Sequence, residues 1–333
     1  MLKVNFLSDF YQFKNYIGVN GALVATISQA KVMEEYVEVI FNEHGKDYDI
    51  IHSHGCFPYT SWLLKKGIRL NKSVVISAHQ THHDLDGSFP FSKKISQMFK
   101  LYLRRYYRHG DVLICPTKNS KRIVKKELKI NKPIKVISNG VDTQIFRYSH
   151  EKRLQFRKKH NLNKPTVLAV GMPTKRKGFF DFIKISKLLN KYHFIWVGKR
   201  AFPLIQPNYN INFNNLIMPG YVEDIIAAYS SGDIFCFPSY YEGEGIAILE
   251  AISCGLPIII RDLPVYEGRF FDGKNCLKAS NNKEFVENIN YLIENPNECR
   301  KITRSGLKTA KKFDIKRTGK LIYETYIELF NCY

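Results

Sequence analysis

Short apolar runs, each followed by a stretch with helical apolar spacing, constrain this chain more than any other feature. In the first half the runs are Lys3–Leu7, Ile50–His52, Ser73–Ser77, Val112–Cys115 and Lys135–Ile137. In the second half they are Thr166–Val170, His193–Val197, Leu216–Pro219, Ile234–Phe237 and Pro257–Ile260. A helix between two neighbouring strands carries the chain back to the edge it left, so the strands lie parallel with helices over both faces. The pattern predicts two α/β halves, alike in architecture and without any short-period repeat. A length of 333 residues suits two domains of ordinary size, and 44% hydrophobic with 14% aromatic content excludes a disordered chain. The turn Ser138-Asn139-Gly140-Val141-Asp142 followed by Phe146 reads as the link between the halves.

The seven cysteines are scattered, odd in number and free of any CxxC pair, so they read as reduced thiols of a cytosolic protein. No apolar run approaches the ~20 residues needed to span a bilayer. The first residues read as a strand, not a signal peptide. The charge is unusual: the net value is +21. Residues 93–200 hold 29 Lys or Arg against 5 Asp or Glu, while residues 201–250 hold no Lys or Arg. A basic field of this kind attracts polyanions, either nucleic acid or an anionic lipid surface.

Chemistry concentrates in Pro238-Ser239-Tyr240-Tyr241-Glu242-Gly243-Glu244-Gly245-Ile246-Ala247-Ile248-Leu249-Glu250. Strand propensity before it and helical spacing from Ile246 make it a glycine-rich strand-to-helix turn, which exposes backbone N–H groups to an anion. Glu250 falls about one turn into the helix, within reach of sugar hydroxyls beside a bound phosphate. A nucleotide-sugar carries that combination of groups, and a buried turn with two solvated glutamates is the plainer alternative. Gly171-Met172-Pro173-Thr174-Lys175-Arg176-Lys177-Gly178 also joins a strand to a helix, and its cations suit a diphosphate. His54 and His79 follow strands of the first half, where open α/β sheets place ligands. There a histidine can donate to a sugar hydroxyl or help neutralise developing charge. Zinc binding by the histidines lacks any HExxH or Cys spacing to support it. Asp84-Leu85-Asp86 reads as a loop. Gly18-Val19-Asn20-Gly21 could bring N–H groups, at Gly21 above all, near a leaving phosphate, although such turns are usually only turns.

Together these segments resemble the retaining glycosyltransferases of family 4, over nearly the whole chain. Glu242 and Glu250 match the two glutamates of the E-x7-E signature, and Lys177-Gly178 match the end of the GRxxxxKG loop. Met172 stands at that loop's arginine position, which leaves a phosphate contact to Arg176 or Lys175. His79 matches the histidine that faces the transferred sugar, and Ser138–Phe146 resembles the PNGVDxxxF segment closing the first domain. The resemblance implies the GT-B architecture, two Rossmann-like domains facing across a cleft. They would be residues 1–145 for acceptor and membrane and 146–315 for the nucleotide-sugar, with the last helix (316–333) packing back on the first. It also implies catalytic roles for His79, Glu242 and Lys177. The donor site would be Gly21, Arg176, Lys177, Gly220, Val222, Glu242, Gly243, Glu244, Gly245, Ile246 and Glu250, with no metal and no cofactor beyond the UDP-sugar co-substrate.

Glu244 in the EGEG turn, the segment Arg261–Glu267 and the basic first domain bring the chain nearest to bacterial glycosyl-diacylglycerol synthases. The expected reaction is hexosyl transfer from UDP-glucose or UDP-galactose to diacylglycerol or a monoglycosyl-diacylglycerol. In residues 89–108, Ile95, Met98, Phe99 and Tyr102 share a helical face flanked by Lys93, Lys94, Lys100, Arg104, Arg105 and Arg108. Such a helix suits the surface of an anionic membrane, or is a core helix with a solvated basic side. The former implies a peripheral protein on the inner face of the cell membrane. Polysaccharide or capsule synthesis on the same fold is the alternative. Nucleic-acid binding fits the charge, but no RNP, zinc-finger or helix-turn-helix signature accompanies it.

Overall fold

The computed structural model describes residues 1–13, 21–86, 92–199 and 214–331. The chain divides into two compact units: Met1–Asp84, Lys94–Gly140 and Phe313–Tyr333 form the first, Leu85–Lys93 and Val141–Lys312 the second. The sequence reading set the junction at residue 145; the contacts divide at Gly140.

The first unit contains β1 (Lys3–Leu7), α1 (Asp9–Gln12), α2 (Gly21–Met33), β2 (Glu38–Phe41), β3 (Ile50–Ser53), α3 (Pro58–Arg69), β4 (Ser73–Ser77), α4 (Ser92–Tyr107), β5 (Val112–Cys115), α5 (Lys118–Lys126) and β6 (Ile134–Val136). Its strands pair in parallel in the order β2-β1-β3-β4-β5-β6. Both faces are covered, and the strand period of two is visible in the core. Ile51, Val74, Ile76, Leu113 and Cys115 pack on one side with Leu63, Leu64, Leu103, Tyr106 and Tyr107 of α3 and α4. Ile50, Val75 and Ile114 pack on the other, with Ala30 and Met33 of α2 and Ile322, Tyr326 and Leu329 of the last helix.

The second unit follows with α6 (His150–Lys159), β7 (Thr166–Val170), α7 (Phe179–Leu188), β8 (His193–Val197), β9 (Leu216–Gly220), α8 (Ile225–Ser231), β10 (Ile234–Phe237), α9 (Ile246–Ser253), β11 (Ile258–Arg261), β12 (Leu277–Ala279), α10 (Asn282–Glu294) and α11 (Pro296–Lys312). The chain then ends in α12 (Ile315–Phe330), whose contacts belong to the first unit. The second sheet is also parallel, in the order β12-β11-β10-β7-β8-β9.

In each sheet the strand order reverses once. The first sheet grows one way from β1 to β2 and the other way from β3. The second grows from β7 to β9, then returns with β10 on the opposite side of β7. At such a reversal the loops leaving neighbouring strands part, and a crevice opens beyond their carboxyl ends. The loops at the two reversals are those that the sequence motifs occupy.

Candidate functional site

In the second unit the loops after β7 and β10 flank the reversal and are tied to each other. The Tyr240 amide donates to the Arg176 carbonyl at 2.7 Å, and Arg176 Nη1 donates to the Tyr241 carbonyl at 3.0 Å. Gly178 caps α7 with φ of 73°, and a Cβ there would lie 2.1 Å from the Pro238 carbonyl oxygen. Only glycine allows that approach. Lys177 Nζ meets Glu242 Oε1 at 2.6 Å, and Ser239 Oγ lies 2.7 Å from the same oxygen. Glu242 is 5% exposed, and Lys177 also stands over the Phe237 ring at 5.0 Å. A cation and a carboxylate 65 residues apart are thus held together at the sheet reversal.

Gly245 has φ of 88° and starts α9, whose first amides point toward this turn. Ile246 opens that helix, and Gly243 lies between the two glutamates of the turn. The carboxylate of Glu244 is engaged by Arg269 Nη2 at 2.7 Å in a buried ion pair. What Glu244 offers a ligand is therefore its main chain. Glu250 accepts a 2.6 Å hydrogen bond from the Tyr229 hydroxyl on α8. Burial pushes the Glu250 carboxyl up to about 7, against a smaller lowering by Tyr229.

Gly220 ends β9 with φ of 77°, its carbonyl accepting from the Gly198 amide at 2.9 Å, and Val222 lies just beyond. Both sit at the carboxyl edge of the same sheet. Arg261 Nη2 meets Asp181 at 2.8 Å, its Nε donates to the Pro238 carbonyl, and its guanidinium lies 4.1 Å from the Tyr240 ring centroid. Tyr229 and Arg261 thus brace Glu250 and the turn, roles that sequence reasoning missed. Arg261 had a signal in its segment; Tyr229, inside an alanine-rich helix, had none.

In the first unit the loops after β1, β3 and β4 carry the other candidates. His54 Nδ1 and His79 Nε2 are 3.2 Å apart, and His54 stacks on Phe6 at 4.6 Å. Burial holds His54 well below the usual histidine range and brings His79 down to about 4. At neutral pH both are therefore uncharged, which suits hydrogen bonding to a sugar hydroxyl. Gly21 begins α2; residues 18–20 lie outside the described residues. Asp84 accepts from the Thr81 amide at 2.8 Å within its own turn. Among the described residues, one group brings three potential metal-ligating atoms within 4.8 Å: His82, His83 and Glu127.

The α4 helix carries two apolar faces. Leu103, Tyr106 and Tyr107 are in the core, with Phe99 packed against it, whereas Met98 and Leu101 are 72% and 67% exposed and Ile95 is exposed beside them. Phe99 therefore leaves the outward face expected for it, and Leu101 joins that face. Lys94, Arg105 and Arg108 are exposed, Lys100 and Arg104 half-buried, and the Lys93 side chain lies outside the described residues. Among the described residues, no helix is long and apolar enough to cross a membrane.

Comparison with known proteins adds an independent line. The family model described as "Glycosyl transferases group 1" matches residues 151–309, and "Glycosyltransferase Family 4" matches residues 31–145. The processive diacylglycerol alpha-glucosyltransferase of Acholeplasma laidlawii is 31% identical over 304 residues, covering 89% of this chain and 90% of that protein. An alpha-galactosylglucosyldiacylglycerol synthase of Streptococcus pneumoniae is 40% identical over 114 residues, 32% of this chain and 30% of that one. Among solved structures, Anabaena HepE in complex with UDP and glucose superposes with a TM-score of 0.77 at 17% identity, over 98% of this chain and all of that one. At that identity the likeness shows the fold.

Proposed function

The chain belongs to the retaining glycosyltransferases of family 4, with the GT-B fold, and from that premise we propose that it transfers glucose or galactose from a UDP-sugar to diacylglycerol or a monoglycosyl-diacylglycerol. The observation that carries the donor half is the Lys177–Glu242 clasp at the sheet reversal. The acceptor half is supported by the A. laidlawii relative and by the outward apolar face of α4 amid cations.

In this reading the UDP diphosphate lies against Lys177, Arg176 and the amides of Gly243 to Ile246. Charge develops on the diphosphate as the glycosidic bond breaks, and fixed cations and N–H dipoles stabilise it without reorganising. Glu242, held by Lys177 and Ser239, orients the hexose. Glu250 takes the ribose hydroxyls, and the main chain at Gly220 and Val222 meets the base. In the first unit, the neutral His79 is suited to hydrogen-bond a sugar hydroxyl, and Gly21 offers its amide at the start of α2. The acceptor hydroxyl attacks from the face that the leaving group vacates, and its proton passes to the diphosphate. The charge of the leaving group is met by these protein groups, so no essential metal is part of the proposal. The protein would work at the inner face of the cell membrane, with α4 against the lipid.

The test is a donor screen. Radiolabelled UDP-glucose and UDP-galactose are incubated with the protein and diacylglycerol or monoglycosyl-diacylglycerol in vesicles, and counts are partitioned between organic and aqueous phases. Label in the organic phase is expected with one of the two donors. Label confined to water-soluble polymer would favour polysaccharide synthesis instead.

A further inference from the structure

His82, His83 and Glu127 take no part in the donor or acceptor reading, yet the fold brings them to one point. After β4 the chain makes a single 3₁₀ turn, His82–Asp84. Asp84 closes it: its amide donates to the Thr81 carbonyl at 3.2 Å, and its carboxylate accepts from the Thr81 amide at 2.8 Å. Neighbouring side chains on such a turn diverge by about 120°. The two imidazoles nevertheless lie 3.9 Å apart between centroids, inclined at 36°, so both rings are turned to the same side. Glu127, which ends α5, meets them there. Its Oε2 is 3.1 Å from His83 Nε2 and 3.4 Å from His82 Nε2. Between residues 118 and 135 Glu127 is the only acid among eight Lys or Arg, and its carboxylate faces the two histidines.

These three atoms are donors of the kind that hold a zinc-type ion. With the proton on Nδ1, each Nε2 presents a lone pair toward the carboxylate oxygen. Zinc bonds of about 2.0–2.1 Å set neighbouring tetrahedral ligand atoms about 3.3 Å apart. The two separations from Glu127 fall on either side of that edge, and both exceed the ~2.7–2.9 Å of a charge-assisted hydrogen bond. All the ligating atoms lie within 4.8 Å of one another. His82 is buried, whereas the side chains of His83 and Glu127 are 34% and 39% exposed, which gives an ion a way in and leaves room for a water ligand. Two imidazoles and one carboxylate favour zinc over magnesium or calcium, which take oxygen ligands.

We propose that His82, His83 and Glu127 form a structural binding site for a divalent zinc-type ion. The ion ties the connection after β4 to the end of α5. Ser96 Oγ on α4 donates to the His82 carbonyl at 2.9 Å, so a third element is fastened at the same place. Spacing does not reveal the set, because Glu127 lies 44 residues beyond His83. The ion takes no part in glycosyl transfer, and the site stands or falls separately from that reading.

The full chain, prepared without a histidine tag and stripped with EDTA, tests it in four versions: natural, His83→Gln, Glu127→Gln and His150→Gln. His150 is exposed on α6, outside the cluster. Equal melting temperatures in EDTA establish that all four fold. Calorimetric titration with Zn²⁺ reads affinity and stoichiometry. The visible spectrum of Co²⁺ bound to the natural protein reads the coordination without relying on any variant.

The expected result is one Zn²⁺ per chain and a melting temperature that rises when Zn²⁺ is added. Binding should be at least about tenfold weaker in His83→Gln and Glu127→Gln, since loss of even an outer-shell partner weakens metal sites about 10- to 100-fold. His150→Gln should stay within about twofold of the natural protein. Co²⁺ should give the intense bands of a four-coordinate ion, and excess Mg²⁺ should leave Zn²⁺ bound. Absence of Zn²⁺ binding, equal affinity in all four versions, equal loss in His150→Gln, a weak six-coordinate Co²⁺ spectrum or displacement by Mg²⁺ each overturns the site.

Discussion

Glu250 links the geometry of the site to a titration that can be measured. Its carboxyl titrates near pH 7 in the unliganded protein because burial disfavours the charged form. If the ionised form accepts the ribose hydroxyls, UDP affinity should fall as pH drops through 7. Tyr229→Phe removes the hydrogen bond that lowers this titration, so the acid limb should move to higher pH; calorimetry from pH 5.5 to 8.5 measures both. Stability runs the other way. A carboxyl titrating higher folded than unfolded contributes stability below its unfolded value, ~4.3, and loses it as pH rises through 7. Glu250→Gln should therefore gain melting temperature relative to the natural protein between pH 5 and pH 8. Glu250→Ala should abolish transfer and weaken UDP binding while the protein stays folded, and unchanged affinity would remove Glu250 from the donor site. His79→Ala should lower kcat about 10- to 100-fold, the scale of one or two hydrogen bonds, with little change in UDP affinity. Full activity of that variant would exclude His79.

At the scale of elements, the alternation of apolar runs was enough to place ten strands to within a residue or so. The two it missed, β2 (Glu38–Phe41) and β12 (Leu277–Ala279), lie at sheet edges. β2 is largely exposed or half-buried and β12 is only three residues long, so neither shows the continuous apolar run of a strand buried on both faces. The site was legible as motifs but not as contacts, since neither Lys177–Glu242 nor Tyr229–Glu250 is a local spacing. The close approach of the two loops yields a prediction: Gly178→Ala places a methyl against the Pro238 carbonyl at positive φ and should cost about 2 kcal/mol or more in urea unfolding. For α4, burial showed which apolar residues face inward, a distinction that period alone blurred at Phe99. Replacing Met98 and Leu101 with Ser should leave stability nearly unchanged, because both are exposed, yet reduce flotation with anionic vesicles. Replacing Lys94, Arg104 and Arg105 should weaken the same association by about 1 kcal/mol each at most, and less in high salt. Unaltered flotation in both variants would mean that α4 is not the lipid contact.

Over the whole molecule, the two units divide the chemistry that a lipid glycosyltransferase requires. The second holds a cation–carboxylate clasp and a helix start suited to a nucleotide diphosphate. The first holds neutral histidines at its sheet edge and an outward apolar helix amid basic residues. The excess of positive charge, alien to a nucleotide-sugar enzyme with a soluble acceptor, becomes intelligible if the acceptor sits in an anionic surface. Retaining transfer of a hexose to a glycerolipid fixes the stereochemistry of the product. The purified protein is supplied with UDP-glucose or UDP-galactose, in which the sugar is α-linked, and with diacylglycerol or monoglycosyl-diacylglycerol in anionic vesicles. Proton NMR of the extracted lipid then reads the anomeric coupling of the new linkage. A glycolipid whose new linkage is α is the expected product. A β-linked product, or donor consumed without any glycolipid formed, would contradict retaining transfer to a glycerolipid.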